Sequence, residues 1–263
     1  MTHEDLNNFF GFTAQMMAAA RAIETEKAYR LFNDPLASRL ATGTAFAYVK
    51  EKLTEQDIAY IAVRTRFFDD FLFSPEIKAK QVVILASGLD TRAYRLPWSS
   101  DITIYELDEP QVLKSKTTIL REFTPNCQHH LLGVDLTQPW SDLLLAKGFQ
   151  PNLPSVWLLE GLLMYLTQTE VLRLLQTIGT LTAADSYLGL DLVNVKSIEY
   201  KPYKGYWYSG FDSPEELLTQ YGWRIAQVLE PGQEGANFGR YSWVLPPRDV
   251  PDVERVFLVQ ARK

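Results

Sequence analysis

The chain has little cysteine and little histidine, and this shortage limits the chemistry available to it. Its 263 residues include one cysteine, Cys127, and three histidines. A single cysteine excludes an internal disulfide and fits a reducing compartment, so we expect a cytoplasmic protein. Cys127 lies in a polar turn at residues 125–128 and is not expected to act as a nucleophile. No metal site is predicted.

Clusters of basic residues and long apolar runs are also missing. The formal net charge is −6 and no basic block stands out, so nucleic acid is not an expected partner. No apolar run is long enough to cross a membrane and the N-terminus lacks a signal-peptide pattern, so no membrane partner is expected. The expected partner is a small molecule, and the sequence does not define an oligomeric state.

A complete Gly-x-Gly-x-x-Gly fingerprint for a dinucleotide is missing as well. Residues 82–85 predict a strand buried on both faces, and the strand leads into a turn of small residues from Ala86 to Gly88. Small residues let a ligand lie against the backbone, and Gly88 can adopt a positive φ. Thr91 replaces the third glycine, and Asp90 would repel a pyrophosphate. The turn therefore favours a cationic cofactor without phosphate, S-adenosylmethionine.

An acidic residue follows the next predicted strand. Residues 102–105 predict this strand, which ends in Glu106, Leu107 and Asp108. A carboxylate at the tip of the second strand accepts hydrogen bonds from ribose hydroxyls in nucleotide-binding sheets, so Asp108 is the candidate ribose ligand. Alternatively, Asp108 and Pro110 only begin a helix, because acids and proline are favoured in the first turn.

Predicted helices come first and are followed by alternating strands and helices. Residues 1–78 form a predicted helical cap and residues 79–263 a Rossmann-like core, within a single domain. In the cap, Thr54 and Asp57 have the spacing of a helix N-cap. The predicted helices are 4–31, 36–40, 54–73, 109–122, 137–147, 167–183 and 213–221, and the predicted strands before the last two are 81–86, 102–106, 129–134, 155–160 and 186–192.

The end of the chain departs from this alternation. Strands predicted at 223–230 and 254–262 have no helix between them, which indicates an antiparallel hairpin with a long loop at the sheet edge. The expected fold class is therefore α/β, a doubly wound and mostly parallel sheet finished by this hairpin. Class I methyltransferases usually have this scaffold, so the topology supports the cofactor prediction by analogy.

One segment, residues 196–212, is rich in tyrosine and tryptophan and follows the fifth predicted strand. Loops at the carboxyl ends of parallel strands line the ligand crevice, so we expect this segment to be a lid or a wall of the substrate site. The alternative is that its rings simply pack against the domain.

Several motifs occur in order along the chain. Together they resemble the leucine carboxyl methyltransferase family of S-adenosylmethionine-dependent enzymes, and within it the bacterial branch that includes polyketide carboxyl methyltransferases of the tetracenomycin type. The motifs occupy residues 20–26, 34–37, 63–70, 85–96, 105–110, 133–136, 157–166, 237–240 and 247–251.

The resemblance implies roles at the amino-acid end of the cofactor. Arg64 matches the arginine that pairs with the cofactor carboxylate, for which a guanidinium is suited by its bidentate geometry. Arg21 matches a second basic residue near that carboxylate. Ala86 and Gly88 match the turn beneath the methionine moiety, and Glu160 matches the acid that faces the ammonium group.

At the nucleoside end, the resemblance implies that Asp108 binds the ribose and that Asp135 accepts the exocyclic amine of adenine. The backbone N–H of Leu136 would contact a ring nitrogen, and Tyr165 would lie at the edge of the substrate. From the residues alone, Asp135 is equally explained as an acid in the first turn of the next helix.

The scarcity of histidine bears on the methyl acceptor. Methyl transfer to a hydroxyl usually needs a general base, whereas a carboxylate is already ionised at neutral pH. No histidine is expected near the site, which favours a carboxylate acceptor and a methyl ester product. Arg240 is the first candidate for a cation that binds the acceptor, before Lys201 or Lys204. The histidines in question are His3, near the terminus, and His129 and His130, at the start of the third predicted strand.

Two other readings of the sequence stay open. One is an O-methyltransferase for a phenol or an enol in natural-product metabolism, with tyrosine, aspartate or lysine as the base. The other is a nucleoside-binding module without catalytic activity.

Overall fold

The computed structural model of the chain describes residues 3–200 and 203–263, with side chains from Gly11 onwards. It contains one seven-stranded sheet in the order β3-β2-β1-β4-β5-β7-β6. The first five strands are parallel, and β7 runs antiparallel to both β5 and β6. The strands are β1 (Gln81–Leu85), β2 (Thr103–Asp108), β3 (Gln128–Gly133), β4 (Ser155–Leu159), β5 (Tyr187–Val193), β6 (Arg224–Leu229) and β7 (Val256–Arg262).

This topology confirms the predicted fold class. Each crossover between parallel strands carries a helix or a helical turn, as parallel pairing requires. The helices are α1 (His3–Thr25), α2 (Ala37–Leu40), α3 (Gly43–Lys52), α4 (Glu55–Leu72), α5 (Arg92–Arg95), α6 (Pro110–Leu120), α7 (Ser141–Ala146), α8 (Gln168–Thr180) and α9 (Pro214–Thr219), with 3₁₀ turns at Leu163–Tyr165 and Val195–Glu199.

Local hydrogen bonds explain where the cap differs from the predicted elements. The helix predicted over 4–31 ends at Thr25, because the Glu24 and Thr25 side chains bind backbone N–H groups of the chain that follows, at Leu31 (2.8 Å) and Asp34 (2.9 Å). Helix α3 was not predicted; its N-cap is Thr42, whose hydroxyl accepts a hydrogen bond from the backbone N–H of Ala45. The predicted N-cap of α4 at Thr54 is confirmed as a capping box with Asp57.

Close packing of α4 on the sheet positions the functional site. Phe68 and Phe71 of α4 lie in the apolar layer between this helix and the sheet. A Cβ atom at Gly189 of β5 would lie 2.7 Å from the Phe71 ring, so glycine is required for this approach. The face of α4 that carries Arg64 is thereby held beside the ends of β4 and β5.

The long loop between β6 and β7 is tied at its base. Arg255 and Glu230, both buried, form an ion pair of 2.6 Å, and the Arg255 guanidinium also donates to the Pro246 and Pro247 carbonyls. Throughout the ranges described, no helix combines the length and apolar character that a membrane crossing requires.

Candidate active site

A cavity of about 1320 Å³ opens at the carboxyl ends of the parallel strands. Ligands of doubly wound folds bind at this edge of the sheet. The cavity brings together nine of the residues singled out in the sequence, which are Arg21, Arg64, Ala86, Gly88, Asp108, Asp135, Leu136, Glu160 and Tyr165.

The turn after β1 and the acid at the end of β2 form one unit. Ala86 and Gly88 both have positive φ, +51° and +52°, a conformation predicted for the glycine but not for the alanine. The Gly88 N–H donates to Asp108 Oδ2 at 2.5 Å, and the Glu109 N–H donates to Oδ1 at 2.7 Å. Burial raises the pKa of Asp108. The carboxylate is thus fixed against the turn at the wall of the cavity.

Arg64 lies between two acids. Its Nε atom donates to Glu160 Oε1 at 3.0 Å, and Nη1 donates to Asp191 Oδ2 at 3.1 Å. Nη1 also lies 3.4 Å from the Tyr60 hydroxyl, and Nη2 lies 3.6 Å from Met17 Sδ. Arg64 and Glu160 are therefore joined directly.

A second arginine, Arg92, connects this pair to the turn after β1. Its guanidinium lies 2.9 Å from Glu160 Oε2 and 2.7 Å from Asp69 Oδ1, and it also pairs with Asp90. Although burial opposes ionisation of Asp90, the nearby Arg92 outweighs it and lowers the pKa of this carboxyl. Asp90 is thus neutralised by an ion pair. The sequence suggested that its negative charge would face a ligand, but the pairing with Arg92 prevents this.

Arg21 joins the cap to the same turn. Its Nε atom donates to Asp34 Oδ2 at 2.9 Å and its Nη2 atom donates to the Leu89 carbonyl at 2.7 Å. Because both contacts are within the protein, the structure gives Arg21 a clear role in holding α1 over the turn.

Asp135 does not lie in the first turn of a helix. Its Oδ1 atom accepts hydrogen bonds from the Thr137 N–H (2.8 Å) and hydroxyl (2.7 Å), which form a local turn. Helix α7 begins only at Ser141, so the helix-start explanation and the predicted start at residue 137 are both wrong. The turn places Asp135 and Leu136 in the cavity wall.

The aromatic segment 196–212 contributes to the wall of the cavity. The rings of Tyr203 and Trp207 stack in parallel, with centroids 4.7 Å apart, and both line the cavity. The Tyr208 N–H donates to the Met164 carbonyl at 2.8 Å, which ties the segment to the turn that carries Tyr165. Lys201 lies outside the described residues, and Lys204 is exposed and is not part of the wall.

Arg240 lies away from the cavity wall. Its Nη1 atom pairs with Glu24 Oε2 at 2.5 Å, and Nη2 donates to the Tyr29 carbonyl. This part of the hairpin loop thus folds onto the end of α1, whereas neighbouring loop residues such as Tyr241 and Trp243 line the cavity. We do not retain Arg240 as the cation that binds the acceptor.

His129 and His130 also lie outside the wall. His129 contacts the buried Glu106 at 2.9 Å, and His130 stacks on Tyr105. Both are near the start of β3 (Gln128–Gly133), at the opposite edge from the cavity, as predicted.

The leucine carboxyl methyltransferase family model matches residues 14–179. The chain belongs to this family. Relatives from Parafrankia sp. and Mycobacterium marinum are each 41% identical, over 201 and 212 residues, and carry the provisional name of S-adenosyl-L-methionine-dependent methyltransferase. Each alignment covers 72% of this chain and 65% of the relative, so the chain spans less than two thirds of their length.

Solved structures share the fold of this family member. A DUF574 family protein from Streptomyces avermitilis aligns over 94% of this chain and 96% of its own, with 11% identity and a TM-score of 0.61. The N-methyltransferase NodS from Bradyrhizobium japonicum, in complex with S-adenosyl-L-homocysteine, aligns over 86% of this chain and 95% of its own, with 10% identity and a TM-score of 0.53. Both place the chain among class I methyltransferase folds.

Sequence reasoning missed three side chains at the amino-acid end of this family member's cavity, which are Arg92, Asp191 and Tyr60. Asp191 is the one charged residue in the apolar strand β5, and this isolation was a usable signal. Tyr60 lies one helical turn before Arg64, on the same face of α4.

Acids outnumber bases in the cavity wall. The five arginines of the wall each pair with an acid, and Lys196 lies 3.5 Å from Asp252. Among the residues that the structure describes, the wall contains ten acids (Asp57, Asp90, Asp108, Glu109, Asp135, Glu160, Glu170, Glu230, Asp252 and Glu254) and seven bases (Arg21, Lys52, Arg64, Arg92, Arg95, Lys196 and Arg255).

Proposed function

We propose that this protein is an S-adenosylmethionine-dependent O-methyltransferase that acts on a small, natural-product-like acceptor. One observation carries the proposal. The Gly88 N–H in the turn after β1 donates to Asp108 Oδ2 at 2.5 Å, at the ligand-binding edge of a class I sheet. The cap (1–78) and the core (79–263) act as one domain in this proposal, and the single cysteine supports a cytoplasmic setting.

The residues in the wall fit this cofactor. Asp108 would accept hydrogen bonds from the ribose, and Asp135 with the Leu136 N–H would bind adenine. Glu160 would face the ammonium group, and Arg64 the carboxylate. The excess of acids suits a cation, and the small residues after β1 leave room for the cofactor to lie against the backbone.

The acceptor in this proposal is a carboxylate, and the product is a methyl ester. The bound cofactor would supply a sulfonium methyl group to an in-line displacement, so the protein's task is mainly to align the acceptor oxygen. Burial raises the pKa of Tyr165 and Tyr203. Both hydroxyls therefore stay protonated at neutral pH, so they suit donation to an anionic oxygen better than removal of a proton from a hydroxyl.

Lys52 and Lys196 replace Arg240 as the candidate cations for the acceptor. Lys52 lies in the last turn of α3 and Lys196 follows β5, and both line the cavity. A phenol or enol is the second candidate acceptor. The stacked rings of Tyr203 and Trp207 favour it, because aromatic rings stack on planar substrates.

Asp108→Asn is expected to weaken binding of S-adenosylhomocysteine about 10–100-fold, because it removes a charge-assisted hydrogen bond worth about 1.5–3 kcal/mol. Calorimetric titration of the purified protein measures this change. Asp101→Asn is the matched control, since Asp101 is exposed and precedes the opposite end of β2. Equal affinity of Asp108→Asn and the parent protein would contradict the proposed site.

If the acceptor is a carboxylate, the methyl transfer rate should be nearly constant from about pH 6 to pH 9, because a carboxyl group titrates near 4. A phenol acceptor should instead give a rate that rises with pH towards the pKa of its base. Labelled product provides an independent check, since mild alkali cleaves an ester and spares an aryl ether. A label that survives alkali would leave the phenol or enol acceptor as the better proposal.

The binding-module reading is tested with the same preparations. A binding module would methylate no carboxylic acid or phenol in a panel of acceptors. This holds whether it binds S-adenosylhomocysteine or no nucleoside at all. Transfer to one acceptor excludes it.

A further inference from the structure

Asp191 is a fully buried carboxylate in the middle of an apolar strand, and it contacts three donors. Its Oδ2 atom accepts hydrogen bonds from Arg64 Nη1 (3.1 Å) and the Tyr60 hydroxyl (3.1 Å). Its Oδ1 atom accepts one from the Gly161 N–H (2.5 Å). A buried acid without partners would be costly, and an apolar residue would serve the packing of the strand equally well. The position of Asp191 therefore calls for an explanation beyond packing.

The contacts of Asp191 reach both charged groups at the amino-acid end of the cavity. One contact is to Arg64 itself. The other is to Gly161, which directly follows Glu160 and has a φ of +69°. One side chain thus holds the guanidinium on α4 and the turn that carries Glu160 after β4.

Asp191 also determines which edge of Arg64 remains for a ligand. Glu160 occupies Nε, and Asp191 with Tyr60 occupies Nη1. Nη2 contacts the thioether of Met17 at 3.6 Å, and a thioether is a weak acceptor. Without Asp191, Nη1 would lose its charged acceptor and the guanidinium would be free to turn Nη2 away from the cavity.

We propose that Asp191 is a positioning residue that fixes the Arg64 guanidinium so that Nη2 is presented to the cofactor carboxylate. This inference rests on the proposed function, because it takes Arg64 and Glu160 as the ligands of the amino-acid tail. The tail ends in a carboxylate, which binds best to a guanidinium whose orientation is already fixed.

The test compares two ligands that differ in the tail. S-Adenosylhomocysteine has the amino-acid tail, whereas 5′-methylthioadenosine keeps the nucleoside and the thioether but lacks it. Asp191→Asn should weaken S-adenosylhomocysteine about tenfold or more and change 5′-methylthioadenosine less than about twofold. Asp70→Asn, which alters an exposed acid near the end of α4, should change neither.

Two further variants keep the test decisive. In an Arg64→Met background, Asp191→Asn should add little further loss of S-adenosylhomocysteine affinity, because the two residues act through one contact. Should Asp191→Asn fail to fold, Tyr60→Phe removes one donor from the same carboxylate and should weaken only the ligand with the tail.

The outcomes separate this inference from the proposed function. Equal weakening of both ligands, or no weakening of either, would overturn the positioning role while the nucleoside site stands. If the parent protein binds neither ligand, the proposed function fails and the inference fails with it.

Discussion

Lys116→Met should lower the free energy of unfolding by about 3–5 kcal/mol, because it leaves the buried carboxylate of Glu106 without its cation. Both side chains are completely buried, and Lys116 Nζ donates directly to Glu106 Oε2. Although burial opposes its ionisation, Lys116 and His129 lower the pKa of Glu106 below its ordinary value. Denaturant unfolding measures the loss, which corresponds to a fall in Tm on the order of 10 °C.

The pH dependence of this loss has a defined sign. A carboxyl group whose pKa is lowered by folding contributes stability above its unfolded pKa and loses that contribution as the pH falls through its folded value. The difference between the parent protein and Lys116→Met should therefore shrink as the pH falls below about 4.

Two controls distinguish the ion pair from general damage to α6. Lys114→Met alters an exposed lysine on the same helix and should have little effect. The double variant Glu106→Gln with Lys116→Met should lose less stability than the sum of the two single variants, because both charges are gone. Additive losses would contradict a coupled buried pair.

Arg64→Met should weaken S-adenosylhomocysteine about 100-fold, the upper end for a hydrogen bond to a charged group. The variant removes the proposed ligand of the cofactor carboxylate and also leaves Glu160 and Asp191 with one fewer cation. Calorimetric titration is carried out at a temperature at which circular dichroism shows the variant to be folded.

Arg66→Met is the matched control for this variant. Arg66 lies on the same helix, but its guanidinium pairs with Asp70 and donates to the Leu31 carbonyl, and it is not part of the cavity wall. If Arg64→Met binds S-adenosylhomocysteine as tightly as the parent protein, the guanidinium does not bind the amino-acid tail of the cofactor. That result would leave the proposed ribose site untouched.

Much of the fold could be predicted because its signals are local. The apolar strand at 82–85 and the turn after it are contiguous in the sequence, and the hydrophobic runs of β1 and β4 are unbroken. Family motifs then placed Asp108, Asp135 and Glu160 at the ends of successive strands. All three line one cavity, because the carboxyl ends of parallel strands meet at one edge.

What could not be predicted depends on contacts between distant parts of the chain. Arg240 is separated by 216 positions from its partner Glu24, so no local pattern shows that its loop folds onto α1. Asp191 and Arg64 are 127 positions apart. The sequence shows that Asp90 is negatively charged. It does not show that Arg92 neutralises this charge, because their contact depends on the path of the turn after β1.

The imbalance of charge in the described cavity wall has a consequence for the proposed reaction. Methyl transfer converts the sulfonium of the cofactor into a neutral thioether, so the excess of carboxylates attracts the reactant more strongly than the spent product. In the proposed reaction, exchange of the product for fresh cofactor is therefore favoured by long-range electrostatics as well as by concentration. Added salt screens this preference, so the advantage of the reactant is greatest at low ionic strength.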